Sequence, residues 1–280
     1  MLAPFRDVLE ERRRAGGAAG AFTCYDVTTA LAVLRAAESG GAPVILLVSE
    51  ASFRVREAPL LVAGLLAVAA EARVPVCVQL DHTTDAALVD AALAAPVGAV
   101  MADGSRLSHA ANVEFVRAVR ARSAPLGIGI EAELGHIEGG EDVAAATAAG
   151  ALTDPEEAAE FVAATGADCL AVSIGNVHGA YASAPSLDWS RLERIRERLG
   201  EMPLSLHGAS GLPDDDVRKA IALGVCKVNV NTELRACYFA ELEARLPETK
   251  DGLRLLELDR AVVAAVAAVV EAKLELLQGR

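Results

Sequence analysis

Eight short apolar runs punctuate the chain, each ending in a polar cluster before a stretch with helical spacing of apolar residues begins. The runs are Ala21–Cys24, Val44–Val48, Val76–Leu80, Val97–Met101, Ile128–Ala132, Cys169–Ile174, Leu204–Leu206 and Lys227–Val230. Amphipathic stretches such as Thr29–Glu38, Ala86–Ala95, Val113–Arg122 and Asp216–Leu223 separate them. Runs this short, apolar on both faces and bounded by turn residues, read as strands of a covered parallel sheet, and the longer stretches read as helices. Eight repeats of strand then helix predict a (β/α)8 TIM barrel in place of an open doubly wound sheet. Thr153-Asp154-Pro155-Glu156 reads as a capping box with proline in the first turn, and Ser186-Leu187-Asp188 opens the next helix. Phe5–Arg14 is expected as an extra N-terminal helix and Leu253–Leu277 as one long terminal helix. No Gly/Ser-rich or Pro-rich linker divides the chain, so residues 1–280 are expected to form a single domain. The one long glycine-bearing loop, Leu134–Leu152, interrupts a barrel unit and is expected to act as a lid.

Composition narrows the class. With 280 residues, 53% of them hydrophobic and only 4% aromatic, the chain can bury a large aliphatic core. Its alanine-rich segments, Ala144–Ala151 and Ala261–Val270, fit helix propensity better than low complexity. A net charge of −13 argues against a nucleic-acid surface, which needs a concentrated basic face. The apolar start is brief and runs at once into Glu10-Glu11-Arg12-Arg13-Arg14, so no targeting segment is expected, and no uncharged stretch is long enough to span a bilayer. The five cysteines, Cys24, Cys77, Cys169, Cys226 and Cys237, are odd in number and mostly inside apolar runs. Buried free thiols in a reducing cytoplasm are therefore expected.

Three of the polar clusters carry histidine: Leu80-Asp81-His82, Asn176-Val177-His178-Gly179 and Leu206-His207-Gly208. A closed parallel barrel delivers the C-terminal ends of its strands to one rim, so these imidazoles are expected to meet there. Three neutral imidazoles without a fourth protein ligand form a zinc site with a position left for substrate. The fifth strand brings Glu131 and Glu133 to the same rim, and the eighth brings Asn229 and Thr232. His109, at a helix start, and His136, in the lid loop, are expected at the surface, with His136 able to reach the site if the loop closes. A second constellation follows the last three strands: Gly179, then Gly208-Ala209-Ser210-Gly211, then Asn229-Val230-Asn231-Thr232. Backbone amides and hydroxyls here can cradle a phosphate where barrels commonly bind one, although each glycine alone would serve equally to make a tight turn.

The ordered phrases Leu80-Asp81-His82, Glu131-Ala132-Glu133-Leu134-Gly135, Gly175-Asn176-Val177-His178-Gly179-Ala180-Tyr181, Leu206-His207-Gly208-Ala209-Ser210-Gly211 and Val228-Asn229-Val230-Asn231-Thr232-Glu233-Leu234 resemble the class II, zinc-dependent ketose-bisphosphate aldolases. The likeness runs from about Phe22 to the terminal helix. His178 to Pro185 is similar to the tagatose-bisphosphate branch, with Ala182 where another branch carries lysine. The resemblance implies reversible cleavage of a ketose 1,6-bisphosphate, tagatose or fructose, to dihydroxyacetone phosphate and glyceraldehyde 3-phosphate. It implies Zn2+ on His82, His178 and His207, with Asp103 and Glu133 supporting those ligands or hosting the metal in an alternative position. Asp81 would exchange a proton with the acceptor oxygen, Glu141 in the acidic loop Glu138–Asp142 would deprotonate the donor, and Asn229 would bond the enediolate. Gly179, Gly208, Ala209, Ser210, Asn229, Val230, Asn231 and Thr232 would hold one phosphate, with a place for a monovalent cation nearby, and Ser49 and Arg260 the other. A homodimer or homotetramer is implied, with Arg260 reaching substrate in its own or a neighbouring subunit.

The departures from the family pattern fall on the acceptor side. Thr23 stands where the family usually has asparagine, Gln79 where it often has histidine, and Arg260 lies beside Glu257 and Asp259. Two further readings follow: the same chemistry with a different aldehyde in a specialised pathway, or a non-catalytic sugar-phosphate-binding subunit. The presence of Asp81, Glu141 and three histidines weighs against the last.

Overall fold

The computed structural model describes residues 1–138, 145–146, 150–181, 186–249 and 252–279. Eight strands form a closed, all-parallel barrel: β1 (Ala19–Thr23), β2 (Val44–Val48), β3 (Val76–Thr83), β4 (Ala99–Ala102), β5 (Gly129–Leu134), β6 (Cys169–Val172), β7 (Leu204–Leu206) and β8 (Val225–Val230). Each pairs with the next in sequence, and β8 closes on β1 through Ala19–Lys227 to Phe22–Val230. The expected (β/α)8 TIM barrel is therefore present. Between and around the strands lie α1 (Phe5–Arg14), α2 (Val27–Gly40), α3 (Glu50–Arg54), α4 (Ala58–Glu71), α5 (Ala86–Leu93), α6 (His109–Ser123), α7 (Pro155–Thr165), α8 (Trp189–Leu199), α9 (Asp214–Ala222), α10 (Thr232–Thr249) and α11 (Leu255–Leu276).

Two expectations need correction. β6 stops at Val172, because Ile174 N–H is taken by the Asn176 side chain instead of a neighbouring strand, and His178 therefore sits on a loop beyond the strand. The cap of α7 is Asp154, whose carboxylate accepts from Glu156 and Glu157 N–H. Thr153 instead donates to Leu134 O and accepts from Ser173 N–H, tying the ends of β5 and β6 together. The long terminal helix expected over Leu253–Leu277 is present as α11, which packs across α2 and α10, while α10 fills the eighth barrel unit.

α1 sits exactly where the N-terminal helix was expected and closes the lower end of the barrel. Phe5, Val8 and Leu9 pack on inward residues Ala19, Ala21, Ile45, Leu47, Cys77, Ala99, Cys169 and Cys226. Close approach requires Gly129, since a Cβ there would meet the Phe5 ring at 2.8 Å. Arg6 and Arg120 both bind the buried Asp168, which also accepts Ile130 N–H at 2.8 Å. These contacts lock the plug to β5 and seal water from below. Phe5→Ala should lower unfolding free energy by about 3–5 kcal/mol, the usual penalty for an aromatic cavity, as read by urea denaturation with the barrel's circular dichroism retained.

Candidate active site

A strand alternates its side chains between faces, so Asp81 and His82 should point opposite ways. β3 evades this with a register shift: Leu80 pairs with Val100 but Thr83 with Ala102, leaving one extra residue on β3. His82 takes that residue's conformation at φ +37°, a strained setting for a non-glycine residue that costs of order 1–3 kcal/mol. The bulge sends Asp81 and His82 to the rim together.

There His82, His178 and His207 gather with ring centroids 4.7–5.6 Å apart and near-perpendicular planes. Ligand atoms from these three and Glu133 all lie within 4.8 Å of one another. His82 Nδ1 faces Asp103 Oδ2 at 2.9 Å, and His207 Nε2 faces Glu131 Oε1 at 3.0 Å. Each carboxylate draws the ring proton to its own side, so the opposite nitrogens, His82 Nε2 and His207 Nδ1, meet at 2.8 Å. Two imidazole nitrogens at that separation are reconciled only by a shared proton or a shared cation. Glu133 is buried, its Oε2 has no hydrogen-bond partner among the described residues, and its carboxylate also lies 3.9 Å from His82 Nδ1. The donor set fits a metal ion.

The electrostatics divide the two ligand rings. Burial opposes charge on His82, but Asp81, Asp103 and Glu133 outweigh it and hold the ring well above the usual histidine range. Burial pushes His207 down to about 3, against the pull of Glu131. Burial and the nearby Asp103 push Glu133 up to about 8. Glu131 is buried too, yet Lys227, His207 and Gln79 overcome that and hold it far below the ordinary carboxylate range.

Beside the histidines lies a small recess lined by His178, Gly179, Gly208, Ser210, Asn229, Asn231 and Thr232. Thr232 opens the eighteen-residue α10, so the positive end of a helix faces the recess. Gly208 makes this geometry possible. Its φ is +64°, and a Cβ there would strike Val177 O at 2.0 Å. Asn176 splints the same junction by donating to His207 O at 3.0 Å. Tyr25 Oη and the Asn231 amide, 3.1–3.2 Å apart, join the β1 rim to the β8 rim.

The sequence profile described as Fructose-bisphosphate aldolase class-II matches residues 3–280. This chain belongs to the class II fructose-bisphosphate aldolase family. Among similar structures, the YdjI aldolase from Escherichia coli K12 has a TM-score of 0.84 at 30% identity, covering 99% of this chain and 97% of that one. A candidate fructose-1,6-bisphosphate aldolase from Coccidioides immitis has a TM-score of 0.89 at 33% identity, with 98% and 95% covered. A fructose-bisphosphate aldolase from Campylobacter jejuni shares the fold, with a TM-score of 0.83 at 20% identity over 99% and 95%. The protein is thus a metal-dependent aldolase, a carbon–carbon lyase.

Within this class II aldolase, Asp81 is buried and its carboxylate lies 3.2–3.4 Å from Asn229 Nδ2. Ala209 and Val230, expected in the phosphate cradle, belong to the hydrophobic core around it. Glu141, and Ala182 to Pro185, lie outside the described residues. Ser49 is buried and caps α3, its hydroxyl 3.0 Å from Ser52 Oγ. Arg260 is exposed on the first turns of α11, with no hydrogen bond or ion pair joining it to the recess among the described residues. His109 is partly exposed, as expected. His136 is not at the surface: its side chain is 16% exposed, 3.1 Å from Ser105 Oγ and 3.8 Å from Glu133, because the loop folds back through Ala151 O and over Ser173. No sequence motif marks the contacts of Lys227 and Gln79 with Glu131 or the bond from Asn176 to His207 O. A charge inside an apolar strand run was the available signal for Lys227.

His82→Ala, His178→Ala and His207→Ala should each lose bound metal and nearly all cleavage activity while remaining folded. Metal analysis after gel filtration checks this, and stoichiometric metal with normal turnover in any variant would exclude that residue as a ligand.

Proposed function

We propose that this aldolase uses Zn2+ and reversibly cleaves a ketose 1,6-bisphosphate, tagatose or fructose, to dihydroxyacetone phosphate and glyceraldehyde 3-phosphate. The observation that carries the reading is the pairing of the three-histidine centre with an anion recess on the same rim, sharing His178. Zinc, when held by His82, His178 and His207, would polarise the substrate carbonyl and lower the cost of enediolate formation. The other work falls to the chain. Gly179, Gly208, Ser210, Asn231 and Thr232 seat the phosphate, so that the carbon skeleton points at the histidines. Asn229 Nδ2–H bonds the developing enediolate oxygen. Asp81 moves the proton at the acceptor oxygen, and Glu141 removes the donor's carbon-bound proton, a role that rests on the family resemblance alone. The protein acts as one domain on a small sugar phosphate in a reducing cytoplasm, consistent with four fully buried free thiols and with no helix among the described residues long and apolar enough to cross a membrane. Exposed Phe239, Leu253, Leu255 and Leu256 on α10, on α11 and just before α11 support a homodimer or homotetramer.

A second reading, cleavage to dihydroxyacetone phosphate and a different aldehyde, is favoured by the acceptor side. Among the described residues Arg260 is joined to no pocket residue, and the Gln79 amide nitrogen is committed to Glu131 at 2.6 Å, not to substrate.

Chelation should abolish cleavage, and Zn2+ should restore it. Asp81→Ala should retain metal and lose cleavage, and Glu141→Ala should slow exchange of the donor's carbon-bound hydrogen with solvent, followed by NMR in deuterated water; normal exchange would assign the base elsewhere, with Glu138 or Asp142 next. An arginine–phosphate contact is worth about 1.5–3 kcal/mol. Arg260→Ala should therefore lower kcat/KM for a bisphosphate roughly ten- to a hundredfold and spare condensation with an unphosphorylated aldehyde. No loss for either acceptor, with poor wild-type cleavage of both bisphosphates, would establish the second reading and direct attention to Thr23 and Gln79.

A further inference from the structure

The last barrel strand carries a charge where a parallel strand covered on both faces ordinarily has none. Lys227 lies in the run Val225–Val230 with none of its surface exposed, and a lysine this deep persists only when its ammonium is paired. Its Nζ lies 2.9 Å from Glu131 Oε2 and donates to Asn229 Oδ1. Both partners lead directly to the reaction centre. The other oxygen of Glu131 meets His207 Nε2 at 3.0 Å, and the other end of the Asn229 amide faces Asp81.

Donor and acceptor chemistry gives these contacts a direction. An ammonium donates three protons and accepts none. Contact with Lys227 therefore settles which end of the Asn229 amide is oxygen and turns the NH2 group toward Asp81 and to within 3.4 Å of His207 Nδ1. Glu131 receives N–H groups from Lys227 and from Gln79 Nε2 on one oxygen, leaving the other to accept from His207. That bond places the ring proton on Nε2 and leaves the Nδ1 lone pair facing His82. A single buried cation thus stands behind both an imidazole and an amide that address the same small volume. The apolar floor formed by Cys77, Ala99, Cys169 and Cys226 lies below, and Lys227 and Glu131 have no exposed surface, so these bonds lie in a low-dielectric setting that strengthens them.

We propose that Lys227 is a positioning residue for catalysis: through Glu131 it keeps the Nδ1 lone pair of His207 aimed at the metal, and through Asn229 it keeps an amide N–H aimed at the substrate oxygen. The proposal rests on the reading of His207 as a ligand and Asn229 as a substrate donor. The competing explanation is that Lys227 only neutralises Glu131 and holds the barrel together.

Lys227→Met and the double variant Lys227→Met/Glu131→Gln separate the two. Zn2+ is titrated into full-length protein stripped of metal, in competition with a chromophoric chelator, and cleavage is followed by release of dihydroxyacetone phosphate. Lys227→Met should weaken zinc binding about 10- to 100-fold, the usual effect of removing support behind a ligand, and should lower kcat with little change in KM. The double variant leaves no unpaired buried charge, so its unfolding midpoint should return toward wild type while kcat stays low, because nothing then holds the Asn229 amide. If Lys227→Met does not fold, the double variant carries the test. Wild-type kcat in the double variant would overturn the proposal, as would wild-type zinc affinity and kcat in Lys227→Met. His207→Ala is the control. Zinc retained there would overturn the ligand reading itself, whereas zinc lost there with Lys227→Met unaffected would overturn only the role of Lys227.

Discussion

The pairing of β8 with β1 is the constraint on which the rest depends, because it turns eight strand ends into a ring. Asp81 and His82 on β3, Glu131 and Glu133 on β5, His207 beyond β7 and Asn229 on β8 are distant in sequence, and an open sheet would spread them along an edge. Closure places them across one mouth. The plug formed by Phe5, Val8 and Leu9 gives that mouth a dry floor, so the polar layer of Gln79, Glu131 and Lys227 lies in a medium where hydrogen bonds are strong and unpaired groups are costly. The ion pair between Lys227 and Glu131 across the barrel is tolerable because the closed sheet gives Glu131 further donors in Gln79 and His207 and gives Lys227 a further acceptor in Asn229.

The same closure explains how a chain of net charge −13 can receive an anion. Long-range charge is screened within about 8–10 Å in physiological salt, so local fields govern binding. The start of α10 and the amides around Gly208 supply positive potential at the recess. The acidic groups near the histidines are spent elsewhere, with Glu131 on His207 and Lys227, and Asp103 on His82. What remains at the mouth is a group of imidazole nitrogens beside the Glu133 carboxylate, a donor set that can hold a cation.

Local strain contributes as well. The bulge at His82 costs backbone energy and puts two consecutive residues, the His82 imidazole and the Asp81 carboxylate, on the same side of β3. The loops after β6 and β7 are pressed together at Gly208 and Val177, and the base of the β5 loop reaches His178 through Glu138 O, 2.9 Å from His178 N.

The amino-acid sequence by itself determined the eight-unit alternation, the N-terminal helix, the three converging histidines and the glycine-bearing cradle, because periodicity, turn chemistry and motif order are local properties that survive without coordinates. Boundaries were less legible where a side chain intercepts the backbone, as Asn176 does at the end of β6 and Thr153 does before α7. The half-buried position of His136 was hidden because it depends on the chain folding back over Ser105 and Ser173. Only the tertiary structure decided the roles of Lys227, Glu131 and Gln79, whose partners sit on different strands. A lone charge in an apolar run has no meaning until barrel closure brings its counter-charge within 3 Å. Likewise, only the fold could show that Asp81 and His82 share a face, since strand alternation alone sends them apart and the register shift that reunites them arises from pairing with β4.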